Sequence, residues 1–313
     1  MIVVAGEALI DLVPLEASPA DGVDRRAAGL PQLAPRLGGG PYNTAVALGR
    51  LGSPVAFCSR LSRDGFGEAL LAGLRSAAVD VSPVQRGDEP TTLAVTAIGP
   101  DGSAGYSFYA EGTADRLFSV PDRLPSGTRA VSFGTCSLVL EPGATAYEEV
   151  MRSAAAQGLF TALDPNIRAG LIPDADAYRT RFKSWLPSTT LLKLSEEDAQ
   201  WLGGTPREWL ADGPAAVVLT RGGNGLTVFT RDGGEHAVPG EQVEVVDTIG
   251  AGDTVNAALL HGLAQRDALS PAAVGGLDGD GWTRLLGFAA HAAAITCSRA
   301  GAEPPYASEV GGV

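Results

Sequence analysis

Val245-Val246-Asp247-Thr248-Ile249-Gly250-Ala251-Gly252-Asp253 is the run from which the fold of this chain can be worked out. It continues as Thr254-Val255-Asn256-Ala257-Ala258-Leu259-Leu260, and Val255, Ala258, Leu259 and Gly262 fall at helical spacing. Gly250-Ala251-Gly252 therefore stands at a helix N-terminus, where unpaired N–H groups and the positive end of the helix dipole meet. Glycine lets that backbone come close to a phosphate, so the turn can hold a phosphoryl group without a lysine. Asp253 lies at the same helix end, placed to take a proton from a hydroxyl that attacks the held phosphorus. A plainer reading makes Asp253 a helix cap and the glycines a tight turn. A dinucleotide fingerprint fits less well, because Val255 stands where its third glycine belongs.

Neither of the two lysines, Lys183 and Lys193, follows a glycine, so the chain has no Walker P-loop. A second glycine run, Gly38-Gly39-Gly40-Pro41-Tyr42-Asn43, opens a helical pattern that ends at Leu51-Gly52. Pro41 suits the first turn of that helix. Gly39 and Gly40 would let a ligand lie flat on the backbone, and Asn43 offers neighbouring hydroxyls both a donor and an acceptor. The same residues also read as an ordinary glycine-capped helix start.

Outward from these runs, short apolar, β-branched segments at residues 2–6, 55–60, 131–134, 159–164, 190–194, 216–220 and 225–230 alternate with helical patterns. The helical patterns cover residues 43–51, 66–77, 145–157 and 283–298. Continuous apolarity in the strands predicts a sheet covered on both faces, which is a doubly wound, mostly parallel α/β domain. Two stretches break the rhythm. Residues 12–37 carry Pro14, Pro19, Pro31 and Pro35, and residues 91–111 place Asp101-Gly102 between strand-like runs, the turn chemistry of a hairpin. Together they are expected to form a small, discontinuous β lid on a single domain spanning residues 1–313. Residues 270–281, rich in glycine, read as a long loop.

The 313 residues carry a net charge of −13, which argues against nucleic acid and anionic membranes as partners. No run of about 18 apolar residues occurs and no leader pattern precedes the first strand, so a soluble, cytoplasmic protein is expected. Cys58, Cys136 and Cys297 are widely spaced and odd in number, as for buried reduced thiols. His236, His261 and His291 make no zinc-binding pattern.

Gly39-Gly40-x-x-Asn43-x-Ala45 with Leu51-Gly52, and Asp247-Thr248-x-Gly250-Ala251-Gly252-Asp253, resemble the two signatures of the PfkB-type carbohydrate kinases, whose fold is ribokinase-like. The likeness runs from Gly6-Glu7-x-x-x-Asp11 to Arg299-x-Gly301-Ala302. It implies phosphoryl transfer from ATP with Mg2+. By this resemblance Asp253 is the general base, and the amides of Gly250, Ala251 and Gly252 form the anion hole for the γ-phosphate. Asp11, Gly39, Gly40 and Asn43 would cradle the sugar, with Tyr109 and Arg168 beside it. Thr220-Arg221-Gly222-Gly223-Asn224-Gly225 is similar to the family's nucleotide loop, so Thr220, Gly222 and Gly225 would wrap the phosphates and ribose. His291 would stand near the adenine. Lys193 would reach the nucleotide, and Asp198 would support Mg2+ through water, although it is shorter than the family's glutamate and follows Ser195 in place of asparagine. Asp247, Ile249, Thr296, Arg299 and Gly301 would form a monovalent-cation site, for K+. Relatives often dimerise by packing their lids, so a homodimer through the lid is what the resemblance allows here.

Three segments are most similar to fructokinases: residues 6–14, Asp164-Pro165-Asn166-Ile167-Arg168, and Lys193-Leu194-Ser195-Glu196-Glu197. Ala110 departs from the pattern, standing where many fructokinases and 2-keto-3-deoxygluconate kinases carry arginine. A buried carboxylate on the substrate would need such a cation, so its loss points to a neutral sugar. The expected reaction is phosphorylation of D-fructose at a primary hydroxyl. The alternatives are a kinase for 2-keto-3-deoxygluconate, ribose or a nucleoside, whose base Tyr106, Phe108 and Tyr109 could receive, and a non-catalytic protein that binds sugar and nucleotide.

Overall fold

Ile2 and Val4 of the strand Ile2–Ala5 turn to one face of the main sheet and Val3 and Ala5 to the other, and all four are buried. The structure, a computed structural model, describes residues 1–15, 32–98 and 104–312. On the first face, Ala45 and Leu48 of the helix Gly40–Arg50 pack with Leu259 of Ala251–Gln265 and Leu285 of Gly279–Cys297. On the second, Met151, Phe182, Trp185 and Trp209 come from the helices Gly143–Ala156, Ala175–Trp185 and Pro206–Asp212. Burial from both sides is the physical reason the strands are apolar without alternation.

The main sheet has the spatial order Glu235–Val238, Leu226–Thr230, Ala216–Thr220, Leu191–Ser195, Phe160–Asp164, Ala130–Gly134, Ile2–Ala5, Val55–Cys58. From Ala216–Thr220 to Val55–Cys58 neighbours are parallel, and the two strands beyond are antiparallel. The chain goes from Ile2–Ala5 out to Val55–Cys58, then resumes on the other side at Ala130–Gly134. The strand order thus reverses beside Ile2–Ala5, and sheets of this kind bind ligands outside the carboxyl ends of the strands at that point.

All seven strands and four helices expected from sequence are present, Ala216–Thr220 with the same ends and the others with shifted ends. Residues 270–281 are a correction. They hold the helix Pro271–Gly275, capped by Ser270, and the first turn of Gly279–Cys297, where Asp278 accepts the Gly281 N–H at 2.8 Å. Two side-chain caps overcome the poor helix propensity of the glycines.

The two excursions assemble a four-stranded sheet in the order Leu33–Gly38, Leu9–Pro14, Leu93–Ile98, Ala104–Tyr109. Residues 16–31 of the first and the Pro100-Asp101-Gly102 turn of the second lie outside the described residues. Asp11 pairs with Arg36 on one side and Ala94 on the other, and Ala94 pairs with Phe108, so these four share one face. Two carboxylates, the partly exposed Asp64 and the buried Asp115, hold the base of this sheet. Asp64 caps the helix Gly65–Ser76 and also accepts the Thr91 N–H at 2.8 Å and its hydroxyl at 2.7 Å. The Thr92 hydroxyl sits between Asp115 and the Thr113 hydroxyl. Among the described residues no helix is long and apolar enough to cross a membrane.

Candidate active site

A cavity of about 240 Å³ opens where the strand order reverses, between the carboxyl ends of the main strands and the Asp11 face of the small sheet. Gly39, Gly40 and Asn43 form one wall, Asp11, Tyr106 and Phe108 the opposite one. The turn before the helix Ala251–Gln265 closes the remaining side with Gly250, Gly252 and Asp253. The two glycine runs, remote in sequence, therefore meet.

Gly250 caps that helix in the left-handed conformation, φ 76°, and an added Cβ would lie 2.6 Å from the Ala302 side chain. Asp247 braces the turn from behind: its carboxylate accepts the Ile249 N–H at 3.0 Å and the Gly301 N–H at 2.9 Å. The N–H of Ala251 is directed to the Thr248 carbonyl at 3.3 Å, and Ala251 does not line the cavity. Among the described residues the N–H groups of Gly252 and Asp253 have no partner. The Gly250 N–H likewise has no partner among the described residues, so of the three expected donors only Ala251 turns its amide back into the turn.

Asp253 is the third residue of the helix, not its cap, and it is buried. One oxygen, Oδ2, accepts from Asn43 Nδ2 at 2.9 Å. The other, Oδ1, faces Gly40. Burial pushes the Asp253 carboxyl up to about 6; the Asn43 hydrogen bond, Lys193 and Arg168 hold it down, and Asp164 adds to the rise. A group with that value changes charge near the pH at which a general base works best.

Gly40 is enclosed by the site itself. A Cβ there would lie 2.5 Å from Thr135 Oγ1, 3.1 Å from Asn166 Nδ2 and 3.2 Å from Asp253 Oδ1. Gly40→Val is expected to leave the melting temperature within a few degrees while sugar KM rises at least about tenfold, because its methyl groups enter the cavity. Steady-state kinetics beside a thermal melt check this; unchanged KM would place the sugar elsewhere.

Asp11 leans over Gly38, where an added Cβ would meet its Oδ2 at 2.0 Å. Burial pushes its carboxyl up to about 6 against the pull of Arg168. Arg168 lines the cavity, donates to Asn166 Oδ1 at 2.8 Å and lies 6.0 Å from the Tyr106 ring centroid.

Thr135, Asn166 and Glu7 also line the cavity, and residue-level reasoning on the sequence did not single them out. Asn166, at φ 40°, follows the strand Phe160–Asp164, and asparagine's tolerance of left-handed backbone was the available signal. Thr135, at φ 60°, had none. Glu7 accepts the Ser137 N–H at 2.9 Å and so holds the turn Thr135–Leu138 against the cavity; burial pushes its carboxyl up to about 7.

Several expected site residues lie outside the lining of this cavity. Tyr109 is 64% exposed and outside the cavity, because strand alternation sends Tyr106 and Phe108 inward and Tyr109 outward. Asp198 forms a capping box with Ser195, and its two oxygens accept the Ile167 N–H at 2.8 Å and the Ser195 N–H at 3.2 Å. The shorter acid thereby has both oxygens engaged by backbone N–H groups. Thr220, Gly222 and Gly225 form the turn between Ala216–Thr220 and Leu226–Thr230, outside the 240 Å³ cavity. His291, half-exposed, lies 2.7 Å from Glu241. Thr296 is buried with its hydroxyl 3.0 Å from that of Thr254, and the Arg299 side chain pairs with Glu309, while Asp247 accepts the Ile249 and Gly301 N–H groups. Among the described residues no group of three or more His, Cys, Asp and Glu could hold a metal ion.

Lys193 is buried, its Nζ 2.8 Å from Asp164 Oδ2, and an added Cβ on Gly252 would lie 3.1 Å from that ammonium. A fixed positive charge thus sits beside the open amides. Asp164 raises the Lys193 value against the cost of burial, so the ammonium stays charged.

Open amides, an ammonium and a buried carboxylate around a polar, sugar-sized cavity are what transfer of a phosphoryl group to a hydroxyl requires. Residues 1–308 match the model of the pfkB family carbohydrate kinases, and the chain belongs to that family. It is 38% identical over 286 residues to a fructokinase of Rhizobium leguminosarum bv. trifolii, covering 89% of this chain and 84% of that protein. Fructokinase-1 of Zea mays is 33% identical, with 99% of this chain and 95% of that protein covered. Among solved structures, fructokinase from Xylella fastidiosa with bound ATP has a TM-score of 0.86 at 28% identity, covering 99% of this chain and 96% of that one. The architecture is accordingly ribokinase-like, and the chain is a sugar kinase by family.

Proposed function

We propose that this kinase transfers the γ-phosphate of ATP to a primary hydroxyl of D-fructose, giving fructose 6-phosphate. The observation that carries the reading is Asp253, a buried carboxylate held by Asn43 next to the open amides of Gly252 and Asp253. The sugar lies between Asp11 and Gly40, with its reacting hydroxyl at Asp253 Oδ1. Asp253 takes the hydroxyl proton as the oxygen attacks phosphorus, and the amides with Lys193 stabilise the charge on the transferring group. The donors at the helix N-terminus fit a phosphoryl group. Mg2+, when bound with ATP, would neutralise phosphate charge; Asp198, already committed to two backbone N–H groups, could support it only through water. The four-stranded sheet serves as the lid that excludes water from the site.

A neutral sugar is supported by the charges of the lining, where Glu7, Asp11 and Asp253 outnumber Arg168. Near Ala110, outside that lining, the Arg116 guanidinium is spent on the Ala110 and Glu141 carbonyls and does not replace the missing arginine. ADP release measured across fructose, ribose, 2-keto-3-deoxygluconate and a purine nucleoside tests the proposal. Fructose is expected to give the highest kcat/KM. A higher value with the acidic sugar would overturn the specificity, and no release with any sugar would overturn the kinase activity.

The pH dependence follows from burial. Asp11 and Asp253 are both pushed up to about 6, and both act as carboxylates. Each binds a proton as pH falls through that value, so kcat/KM should be full above it and drop with a slope of about two in a log plot below it. Asp11→Asn, at much reduced affinity, should reduce that slope to about one.

A further inference from the structure

A second, much smaller chamber, about 10 Å³, shares Gly40, Thr135 and Asp253 with the sugar cavity. Its other walls include the buried polar side chains of Thr44, Ser132, Asp164 and Asn256. Asn256 donates through Nδ2 to Ser132 Oγ at 3.2 Å, which turns its carbonyl oxygen the other way. That Oδ1, and Oδ1 of Asp164, are buried acceptors with no hydrogen-bond partner among the described residues. Asp164 already gives its other oxygen to Lys193. Two orphaned acceptors beside a polar space of this size require a small donor of two hydrogens, and roughly 10–15 Å³ holds one water.

We propose that this chamber is a site for one structural water, held by Asn256 and Asp164, which positions the Asp253 carboxylate from behind. Asn256 is then a positioning residue for the reaction. The inference rests on Asp253 being the base. The charged groups that act on Asp253 are Asp164, Lys193 and Arg168, with Asn43 the neutral donor; the water stands behind the base, packed against it, with both its hydrogens given to Asp164 and Asn256. A monovalent cation would also suit acceptor oxygens, but the Lys193 ammonium, 2.8 Å from the other oxygen of Asp164, repels a second positive charge.

A crystal structure that resolves ordered solvent should show one water within hydrogen-bond distance of both Oδ1 atoms. An empty chamber, or an anomalous signal there after soaking in a rubidium salt, would overturn the proposal. Asn256→Leu fills the space with methyl groups, removes the water and desolvates Asp253 further. The acid limb of the kcat profile is expected to move about one pH unit higher, so that kcat well below the limb falls about tenfold, with sugar KM unchanged. Asn256→Ser, which leaves room for the water, should keep the wild-type limb. An Asn256→Leu enzyme whose kcat falls with the limb unmoved would reduce Asn256 to a packing residue; if that variant does not fold, the solvent structure of the wild type decides. Density for the water is read without turnover, so it stands apart from any failure of Asp253 as base.

Discussion

Asp253→Asn is expected to lower kcat by about 10²–10⁴-fold, the usual contribution of a positioned general base. Calorimetry should find ATP and fructose bound about as tightly as in the wild type. The substitution keeps an oxygen for Asn43 Nδ2, which now lies 2.9 Å from Asp253 Oδ2, and leaves the helix N-terminus unchanged. What it removes is the ability to take a proton. Wild-type turnover would transfer that role to another acid, and Asp11, on the opposite wall of the same cavity, is the group to examine next.

Lys193→Met should have the largest effect on stability. The ammonium and Asp164 are both buried and 2.8 Å apart, and the second oxygen of Asp164 has no partner among the described residues. Removing the cation leaves an unpaired carboxyl in the core, which costs about 3–5 kcal/mol. Urea unfolding measures this. Replacing both members, Lys193→Met with Asp164→Leu, should recover most of the loss, because an apolar pair of similar volume is often as stable as a buried ion pair. A single variant as stable as the wild type would mean that Asp164 already carries a proton, the direction in which burial pushes it.

How far the sequence could be read depended on whether local pattern or distant contact placed each residue. The strands were legible because uninterrupted apolar runs such as Ile2–Ala5 and Ala216–Thr220 need cover on both faces. Gly250 and Gly40 were legible because each begins a helix with an obvious apolar face. Tyr109 was misplaced because strand phase is set by cross-strand register, here Ala94 against Phe108, which an isolated run does not reveal. Thr135 was missed for a related reason: it lines the site only because Glu7, 130 residues before Ser137, holds its turn. The bonds of Asp198 to the Ile167 and Ser195 N–H groups were not legible, because the first joins residues 31 apart.

The bond between Asn43 and Asp253 joins residues 210 apart in sequence. A chain emerging from the ribosome has the cavity-lining Gly39 and Gly40 long before the helix that bears the acid exists. Until the last third of the polypeptide docks, there is no assembled centre to spend nucleotide, so the growing protein is inert by construction. In refolding, recovered turnover is therefore a clock for the final docking event, and should lag behind burial of the tryptophans on the opposite side of the sheet.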